Sequence, residues 1–185
     1  RWEYETGNPV MGPPVVHEGV LYIGSGDGFV YALDARTGEF LWNYDTESWV
    51  SSGPAVQGNI VVVSNHQGWV HVVDWTTGES RLTYHTANGN VSAPVFVGDD
   101  ILMGLGNGRV LAIDSTKLEY PMERGMRFWR AHLFLWGLQD RPPVQKGFSW
   151  VKRVGEREAR LTAPAVLDGV AYVGDSKGIM QALDL

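Results

Sequence analysis

The chain has 185 residues, of which 15 are basic and 21 acidic, and its formal net charge at pH 7 is −6. The length suits a single domain, and no nucleic-acid partner is expected, because phosphate recognition requires a concentrated positive surface. The absence of cysteine excludes disulfides, thiolate nucleophiles and cysteine-ligated metal sites. No apolar run approaches the roughly 18–20 residues of a membrane-spanning helix. The first four residues do not resemble a signal peptide, and without an initiating methionine a lost export signal stays open.

Short apolar segments separated by glycine turns begin the chain. Residues 20–23 and 29–33 flank Asp27-Gly28, a pattern that predicts a β-hairpin closed by a type I′ turn. A third strand is predicted near residues 42–44 and a fourth near residues 54–56. Four short antiparallel strands in about 40 residues are typical of one blade of a β-propeller.

The same pattern recurs along the chain, and three kinds of residue mark it. The turn glycines are Gly28, Gly68, Gly108 and Gly178, the aspartates are Asp34, Asp74, Asp114 and Asp184, and the prolines are Pro14, Pro54, Pro94 and Pro164. Each series has two intervals of 40 residues and then one of 70. The chain therefore consists of four repeats with an insertion in the third. The predicted units are about 12–51, 52–91, 92–161 and 162–185 plus 1–11.

The first repeat carries a recognisable motif over residues 32–42. Ala32, Asp34, Thr37, Gly38 and Trp42 match every fixed position of the tryptophan-docking motif A-x-D-x-x-T-G-x-x-x-W. The chain thus resembles the PQQ-like (quinoprotein-type) β-propeller repeat family. The resemblance implies an all-β fold, a single propeller domain of four-stranded antiparallel blades over residues 1–185. In such a motif the aspartate and the Thr-Gly pair shape a tight turn, and the tryptophan packs between blades.

The later copies of the motif are partial. Their matching residues are Asp74, Thr77, Gly78, Asp114 and Asp184. Leu82 stands where the second copy would have its tryptophan, and Trp150 is predicted to be the docking residue of the third.

The two ends of the chain carry complementary parts of one repeat. Residues 1–6 align with residues 41–46, so Trp2 is the counterpart of Trp42. We expect this N-terminal segment to complete the fourth blade, since propellers remove exposed sheet edges by such closure. Three arrangements satisfy the expectation: a four-bladed ring of one chain, a homodimer that makes an eight-bladed ring, or half of a longer propeller.

The insertion, at about residues 119–148, is predicted to contain a helix. Its apolar residues recur at intervals of 4, 3, 4 and 3, and they are Met122, Met126, Trp129, Leu133 and Trp136. This spacing places them on one face of a helix from about Pro121 to Leu138, and Arg124, Arg127 and Arg130 fall on its other sides. Two interpretations are open. The apolar face covers the propeller itself, or it is an interaction surface for a protein partner or, peripherally, for a membrane.

No residues of the sequence identify the calcium ligands and catalytic aspartate that a PQQ dehydrogenase requires. The repeat aspartates occupy turn positions, so no catalytic, cofactor-binding or metal-binding residue is predicted, and no cofactor is expected. The resemblance implies a non-catalytic scaffold for a protein partner or a small ligand, or a ligand-sensing module, on the periplasmic or extracellular side. The alternative is a quinoprotein oxidoreductase that uses PQQ with calcium, or a fragment of one.

Overall fold

Short antiparallel strands build almost all of the structure, a computed structural model that describes residues 1–87, 89, 91–120 and 122–185, with only the backbone of Arg124. The strands form four separate sheets that follow one another along the chain. The predicted all-β class is therefore confirmed. We call the sheets blades 1 to 4 in chain order.

Blade 1 is a four-stranded antiparallel sheet in which strands adjacent in sequence are adjacent in space. Its strands are β1 (Val15–His17), β2 (Val20–Gly24), β3 (Phe29–Asp34) and β4 (Phe40–Asp45). In the register of the central pair, Gly24 lies opposite Val30 and Val20 opposite Asp34. Successive residues of each strand point to opposite faces of the blade, so residues of β2 and β3 that lie opposite each other share a face.

The turn between β2 and β3 is not the predicted type I′ turn. Gly28 has a φ of 95°, but Asp27 keeps a negative φ, so Asp27-Gly28 is not a type I′ turn. The β2–β3 connection instead spans residues 25–28, closed by a bond from the Ser25 amide to the Phe29 carbonyl (2.9 Å). The pair with two positive φ angles is Glu18 (47°) and Gly19 (82°), between β1 and β2.

Blades 2 and 3 repeat the order of blade 1. Blade 2 contains β5 (Ala55–Gln57), β6 (Ile60–Ser64), β7 (Trp69–Asp74) and β8 (Ser80–His85). Blade 3 contains β9 (Val95–Val97), β10 (Asp100–Gly104), β11 (Arg109–Asp114) and β12 (Phe148–Arg153). The segment predicted as the fourth strand of the first repeat is thus β5, which pairs with β6 and opens the next blade.

Blade 4 has three strands, and the N-terminal segment of the same chain does not complete it. The strands are β13 (Ala165–Leu167), β14 (Val170–Gly174) and β15 (Met180–Asp184). Residues 1–11 are all described and form no strand. They lie against blade 1, as the Trp2 contacts below show, and no strand among the described residues pairs with the outer edge of β15.

The hydrophobic core lies between successive blades. We call the side of a blade that faces the preceding blade its front face and the opposite side its back face. Tyr22 and Trp42 on the back face of blade 1 cluster with Val61 and Val63 on the front face of blade 2. Equivalent clusters join blade 2 to blade 3 and blade 3 to blade 4. Each blade depends on its neighbours for burial, as expected of repeat architectures.

The insertion in blade 3 lies between β11 and β12 and contains the helix α1 (Glu123–Leu135). This helix is shorter than the predicted span. Pro121, where it was predicted to begin, is outside the described residues, and Met122 precedes it in a left-handed conformation with φ 71°. Trp136 ends it, and residues up to 138 continue as a turn.

Candidate functional site: repeat turns and the helical insert

Asp34 organises the turn that follows β3. Its Oδ1 accepts hydrogen bonds from the amides of Thr37 (2.7 Å) and Arg36 (2.9 Å) and from the Thr37 hydroxyl (2.9 Å). These bonds, first of all the one from the Thr37 amide, hold the pKa of the Asp34 carboxyl below its usual value. Gly38, with φ 77°, completes the turn in a conformation that side chains rarely adopt.

Trp42 on β4 packs against the corresponding turn of blade 2. Its indole nitrogen donates to the Trp75 carbonyl (3.1 Å), and its ring lies 5.8 Å from the ring of Tyr22. A Cβ atom at Gly78 would sit only 2.9 Å from the indole. The glycine of this turn is therefore required both by its φ of 73° and by the close approach of the tryptophan ring.

Trp2 makes the same contacts one repeat earlier. Its indole nitrogen donates to the Ala35 carbonyl (3.1 Å), and a Cβ at Gly38 would lie 2.5 Å from its ring. Trp2 therefore occupies, against blade 1, the position that Trp42 occupies against blade 2.

The turn of blade 3 has been replaced by the insert. Asp114 still accepts from the Thr116 hydroxyl (2.5 Å) and amide (2.9 Å), and it pairs with Lys117 (2.9 Å). The hydrogen bond from the Thr116 hydroxyl makes the largest contribution to lowering the pKa of Asp114, and Lys117 lowers it further. Burial acts in the opposite direction. The Asp114 amide donates to the Gly147 carbonyl (2.7 Å), and a Cβ at Gly147 would meet Leu82 at 2.7 Å. Leu82 and Gly147 thus replace the tryptophan–glycine contact.

The two remaining motif positions lie near the open end of the chain. Trp150 is half-buried on β12, opposite Ala112, where blade 1 pairs Trp42 with Ala32. Trp150 packs against the core between blades 3 and 4. Asp184, at the end of β15, is exposed.

Glu119 attaches the start of the insert to blade 2. Its amide donates to the Arg81 carbonyl (2.7 Å), and its Oε2 accepts from the Thr83 hydroxyl (2.5 Å) and the Thr83 amide (3.2 Å). Because Arg81 and Thr83 belong to β8, the insert runs along the outer edge of blade 2. Sequence reasoning had no signal for this contact, since Glu119 lies 36 residues from Thr83.

The helix itself is held through charged groups. Glu123 accepts from the Tyr120 amide (3.0 Å) and from Lys146 (2.9 Å), and Lys146 lies 4.4 Å from the Tyr120 ring centre. The bond from the Tyr120 amide and then the Lys146 cation lower the pKa of Glu123. Among the described helix side chains the half-buried ones include Glu123, Arg127 and Ala131, spaced four apart on one side. Glu123 on this side is paired within the insert, with Tyr120 and Lys146.

The apolar face of α1 is exposed. Met122, Met126, Trp129 and Trp136 have between 57% and 83% of their surface accessible, and Leu133 has 37%. We call these five residues the insert face. The interpretation that they cover the propeller is wrong, because all five side chains are exposed to solvent.

Other apolar residues of the insert are exposed as well, and the spacing that defines the insert face does not include them. They include Tyr120, Phe128, Leu135 and Leu138. Phe128 and His132 are four residues apart, and their ring centres lie 4.3 Å apart with the ring planes tilted by 53°, while His132 Nδ1 lies 2.9 Å from the Phe128 carbonyl oxygen. Their spacing of four was the signal available in the sequence.

The described residues do not fit the calcium site of a quinoprotein. Within residues 1–87, 89, 91–120 and 122–185, no group of three or more His, Asp or Glu side chains is able to hold a metal ion. The cavity between α1 and residues 143–146 has a volume of about 140 Å³, and the wider clefts beside Thr83 (about 400 Å³) and beside Asp27 (about 510 Å³) are open grooves. In the part of the chain that the structure describes, no helix is long and apolar enough to cross a bilayer.

Comparison with known proteins rests on structure. No protein-family model matches the chain. No curated protein matches its sequence. Similar solved structures include BamB from Moraxella catarrhalis, with a TM-score of 0.74 and 22% identity over 98% of this chain and 48% of the other. They also include the computationally designed proteins Ika4 and Ika8, both 16% identical, with TM-scores of 0.72 and 0.71. The match covers 95–98% of this chain and 94% of Ika4 but 46% of Ika8.

These similarities show that the four blades adopt a β-propeller-type fold. The chain spans about half the length of the BamB chain that it matches. At these identities the likeness concerns the fold alone.

Proposed function

We propose that the chain is a non-catalytic interaction scaffold, that its docking surface is the insert face, and that the partner is a protein with an apolar groove. The observation that carries this proposal is the orientation of α1. A helix that exposes Trp129 and Trp136 to solvent, while Glu123 on its polar side pairs with Lys146 of the same insert, leaves a large apolar surface uncovered. Such surfaces on soluble domains mark interaction sites.

The pattern of the insert face favours a groove. Its residues from Met126 to Trp136 follow the i, i+3, i+7, i+10 spacing with which amphipathic helices enter apolar grooves. Tryptophan is enriched among the residues that contribute most to protein interfaces. Two tryptophans separated by two turns supply a pair of such anchors.

A peripheral membrane contact is the competing occupant. Arg127 and Arg130 flank the helix, and basic helices rich in tryptophan bind at lipid headgroups. Arg127, however, is half-buried among the described helix residues, so the exposed apolar stripe is not bordered by exposed cations on both sides. The groove is therefore the better supported occupant.

The proposal extends to the cellular location. The repeat motif around Asp34 and Trp42 resembles a family that works outside the cytoplasm, and the propeller-type fold is consistent with it. We therefore place the scaffold on the periplasmic or extracellular side. Fractionation of cells that express the natural gene with an epitope tag tests this: recovery in the cytoplasmic fraction alone would contradict it.

Site-specific photocrosslinking tests the docking surface. A photoreactive amino acid at Trp129 should crosslink one defined protein in an extract of the source organism, and that protein, once purified, should bind the chain. The double variant Trp129→Ala/Trp136→Ala should weaken this binding by more than tenfold. The matched control is Trp49→Ala. Trp49 is 64% exposed and Trp129 is 63% exposed, but Trp49 belongs to the loop that connects β4 of blade 1 to β5 of blade 2, away from the insert face.

The other outcomes of this experiment are equally informative. Binding to vesicles of phosphatidylcholine with phosphatidylglycerol, lost in the double variant, together with no protein crosslink, would replace the protein partner by a lipid surface. Tight binding of added PQQ with Ca²⁺, or dye-linked alcohol oxidation, would contradict the non-catalytic assignment. A scaffold shows neither.

A further inference from the structure

We propose that Met122 and Met126 form an oxidation switch on the insert face: hydrogen peroxide converts their thioethers to sulfoxides, and the sulfoxides weaken docking of the partner. The switch rests on the proposed docking function and adds a chemical regulation of the same surface. Two observations support it, namely which methionines the fold exposes and the absence of cysteine from the chain.

The fold buries one of the five methionines of the chain and exposes the other four. Met103 on β10 is fully buried in the core between blades 2 and 3. Met122 is 83% exposed and Met126 is 57% exposed, and together they supply two of the five residues of the insert face. Oxidation of a sulfur side chain depends on its exposure, so Met122 and Met126 are open to an oxidant while Met103 is protected.

The start of α1 leaves room for an oxidant. A Cβ atom at Gly125, the residue before Met126, would meet no atom within 4 Å beyond its chain neighbours and the helix backbone. The Met126 amide donates to the Met122 carbonyl (3.0 Å), which places the two residues in one turn of the chain. A change at their sulfur atoms therefore alters the surface of this turn without removing its backbone hydrogen bond.

The absence of cysteine leaves methionine as the only sulfur side chain that a peroxide meets. A reactive thiolate would consume the oxidant, because thiolates are the sulfur nucleophiles that oxidation reaches first. Here no thiolate competes with the exposed thioethers of the insert face.

The reaction with hydrogen peroxide balances at each methionine. A lone pair of the thioether sulfur attacks one peroxide oxygen, the S–O bond forms, and the O–O bond breaks. The departing hydroxide takes the proton of the transferred oxygen and leaves as water. The sulfur loses two electrons and the peroxide gains them. The product is a sulfoxide, which methionine sulfoxide reductases convert back to the thioether.

The sulfoxide changes the chemistry of the insert face. A thioether is apolar and adapts its shape to a partner, whereas a sulfoxide is polar and chiral. Inside an apolar groove the sulfoxide oxygen would be buried without a hydrogen-bond donor, which is unfavourable. On the free chain the same oxygen is hydrated, because Met122 and Met126 are exposed. Oxidation therefore weakens docking and leaves folding intact.

Binding measured before and after peroxide treatment tests the switch. The probe is the purified protein that the untreated chain captures by photocrosslinking at Trp129. After treatment and removal of the peroxide, mass spectrometry should find sulfoxide at Met122 and Met126 and an unchanged thioether at Met103. The dissociation constant should rise more than tenfold, and methionine sulfoxide reductases should restore it. The circular dichroism spectrum should stay the same throughout.

Three double variants locate the effect. Met122→Leu/Met126→Leu keeps the face apolar at similar volume, so its binding should not respond to peroxide. The matched control Met11→Leu/Met180→Leu removes the two exposed thioethers outside the insert face, and its binding should respond as in the wild type. Met122→Gln/Met126→Gln introduces polar side chains of similar length and should bind weakly without any oxidant.

The outcomes separate the switch from the docking function. An untreated chain that captures no protein would contradict the docking function and the switch with it. Equal binding before and after full oxidation of Met122 and Met126 would overturn the switch alone. The switch would also be overturned if Met122→Leu/Met126→Leu lost binding on oxidation, or if oxidation unfolded the chain.

Discussion

Trp42 and Trp129 are both tryptophans, but the first is buried between two blades and the second is exposed on a helix. Trp42 on blade 1 is 9% exposed, packs on Gly78 and donates its indole N–H to a backbone carbonyl of blade 2. Trp129 on α1 is 63% exposed and contacts only its helix neighbours Phe128 and His132 among the described rings. A tryptophan therefore stabilises this molecule where a following blade receives it, and it remains available for binding where the chain provides no receiving surface.

The difference arises from what lies next to each residue in space. The insert replaces a turn whose glycine would have received a tryptophan, and it carries its own apolar residues away from the blades. Glu119 attaches the start of the insert to blade 2, and Glu123 pairs with Lys146 inside the insert. The comparison predicts that substitutions between blades reduce stability and that substitutions on the insert face reduce binding.

The largest expected effect is the loss of Trp42. Trp42→Ala should lower the free energy of unfolding by about 3–5 kcal/mol, because a buried aromatic ring between two blades is removed. Urea unfolding followed by circular dichroism, at one fixed protein concentration, measures it. Trp49→Ala removes the same side chain from an exposed position and should cost less than about 0.5 kcal/mol. Equal costs for the two variants would break the comparison.

Gly78→Ala tests the receiving side of the same contact. The new methyl group would lie 2.9 Å from the Trp42 ring at a φ of 73°, so we expect a loss of about 2–4 kcal/mol from backbone strain and overpacking. Gly169→Ala isolates the backbone part, since Gly169 has a φ of 78° and no atom within 4 Å of an added Cβ. Thermal unfolding of both variants should therefore show the larger loss at position 78.

The turn aspartates predict a loss of stability in acid. Burial opposes the shift, but hydrogen bonds from Thr76 and Thr77 and the nearby Arg81 lower the pKa of Asp74. A carboxyl with a lowered pKa in the folded state stabilises the fold above its unfolded pKa of about 4, and the contribution disappears as the pH falls through the folded pKa. The melting temperature should therefore fall between pH 5 and pH 3.

Asp74→Asn is the variant that isolates one of these groups. We expect it to cost about 1 kcal/mol at pH 7 and to narrow the difference in melting temperature between pH 7 and pH 3. Asp184→Asn, at the exposed counterpart in blade 4, should change neither quantity. A wild-type chain with the same melting temperature at both pH values would show that the turn carboxylates add nothing to folding.

The smallest effect on stability is expected on the insert face. The double variant Trp129→Ala/Trp136→Ala should change the free energy of unfolding by less than about 0.5 kcal/mol, since both rings are exposed. The same variant should lose its partner, and this pairing of unchanged stability with lost binding is the opposite of Trp42→Ala. A loss of stability above 2 kcal/mol would show that the helix covers the blades after all.

Much of the architecture could be predicted from the sequence because it depends on local and periodic chemistry. The interval of 40 residues, the alternation of apolar residues and the turn aspartates predicted the blades and the place of the insert. The predicted type I′ turn at Asp27-Gly28 was wrong, because this residue pair is compatible with several turn types. The hydrogen bond from the Ser25 amide to the Phe29 carbonyl closes a longer loop instead. The helix could be predicted from the spacing of its apolar residues alone, because this spacing is a local property of the sequence.

The sequence by itself determined the repeat, the all-β class and the amphipathic character of α1, because each of these follows from the order of residues over a few turns or strands. Tertiary structure alone decided that the apolar face of α1 is exposed and that residues 1–11 lie against blade 1. Those outcomes depend on contacts between residues far apart in the chain, such as Glu119 with Thr83 and Trp2 with Ala35. Periodicity shows that a face is apolar, but only the surrounding atoms determine whether anything covers it.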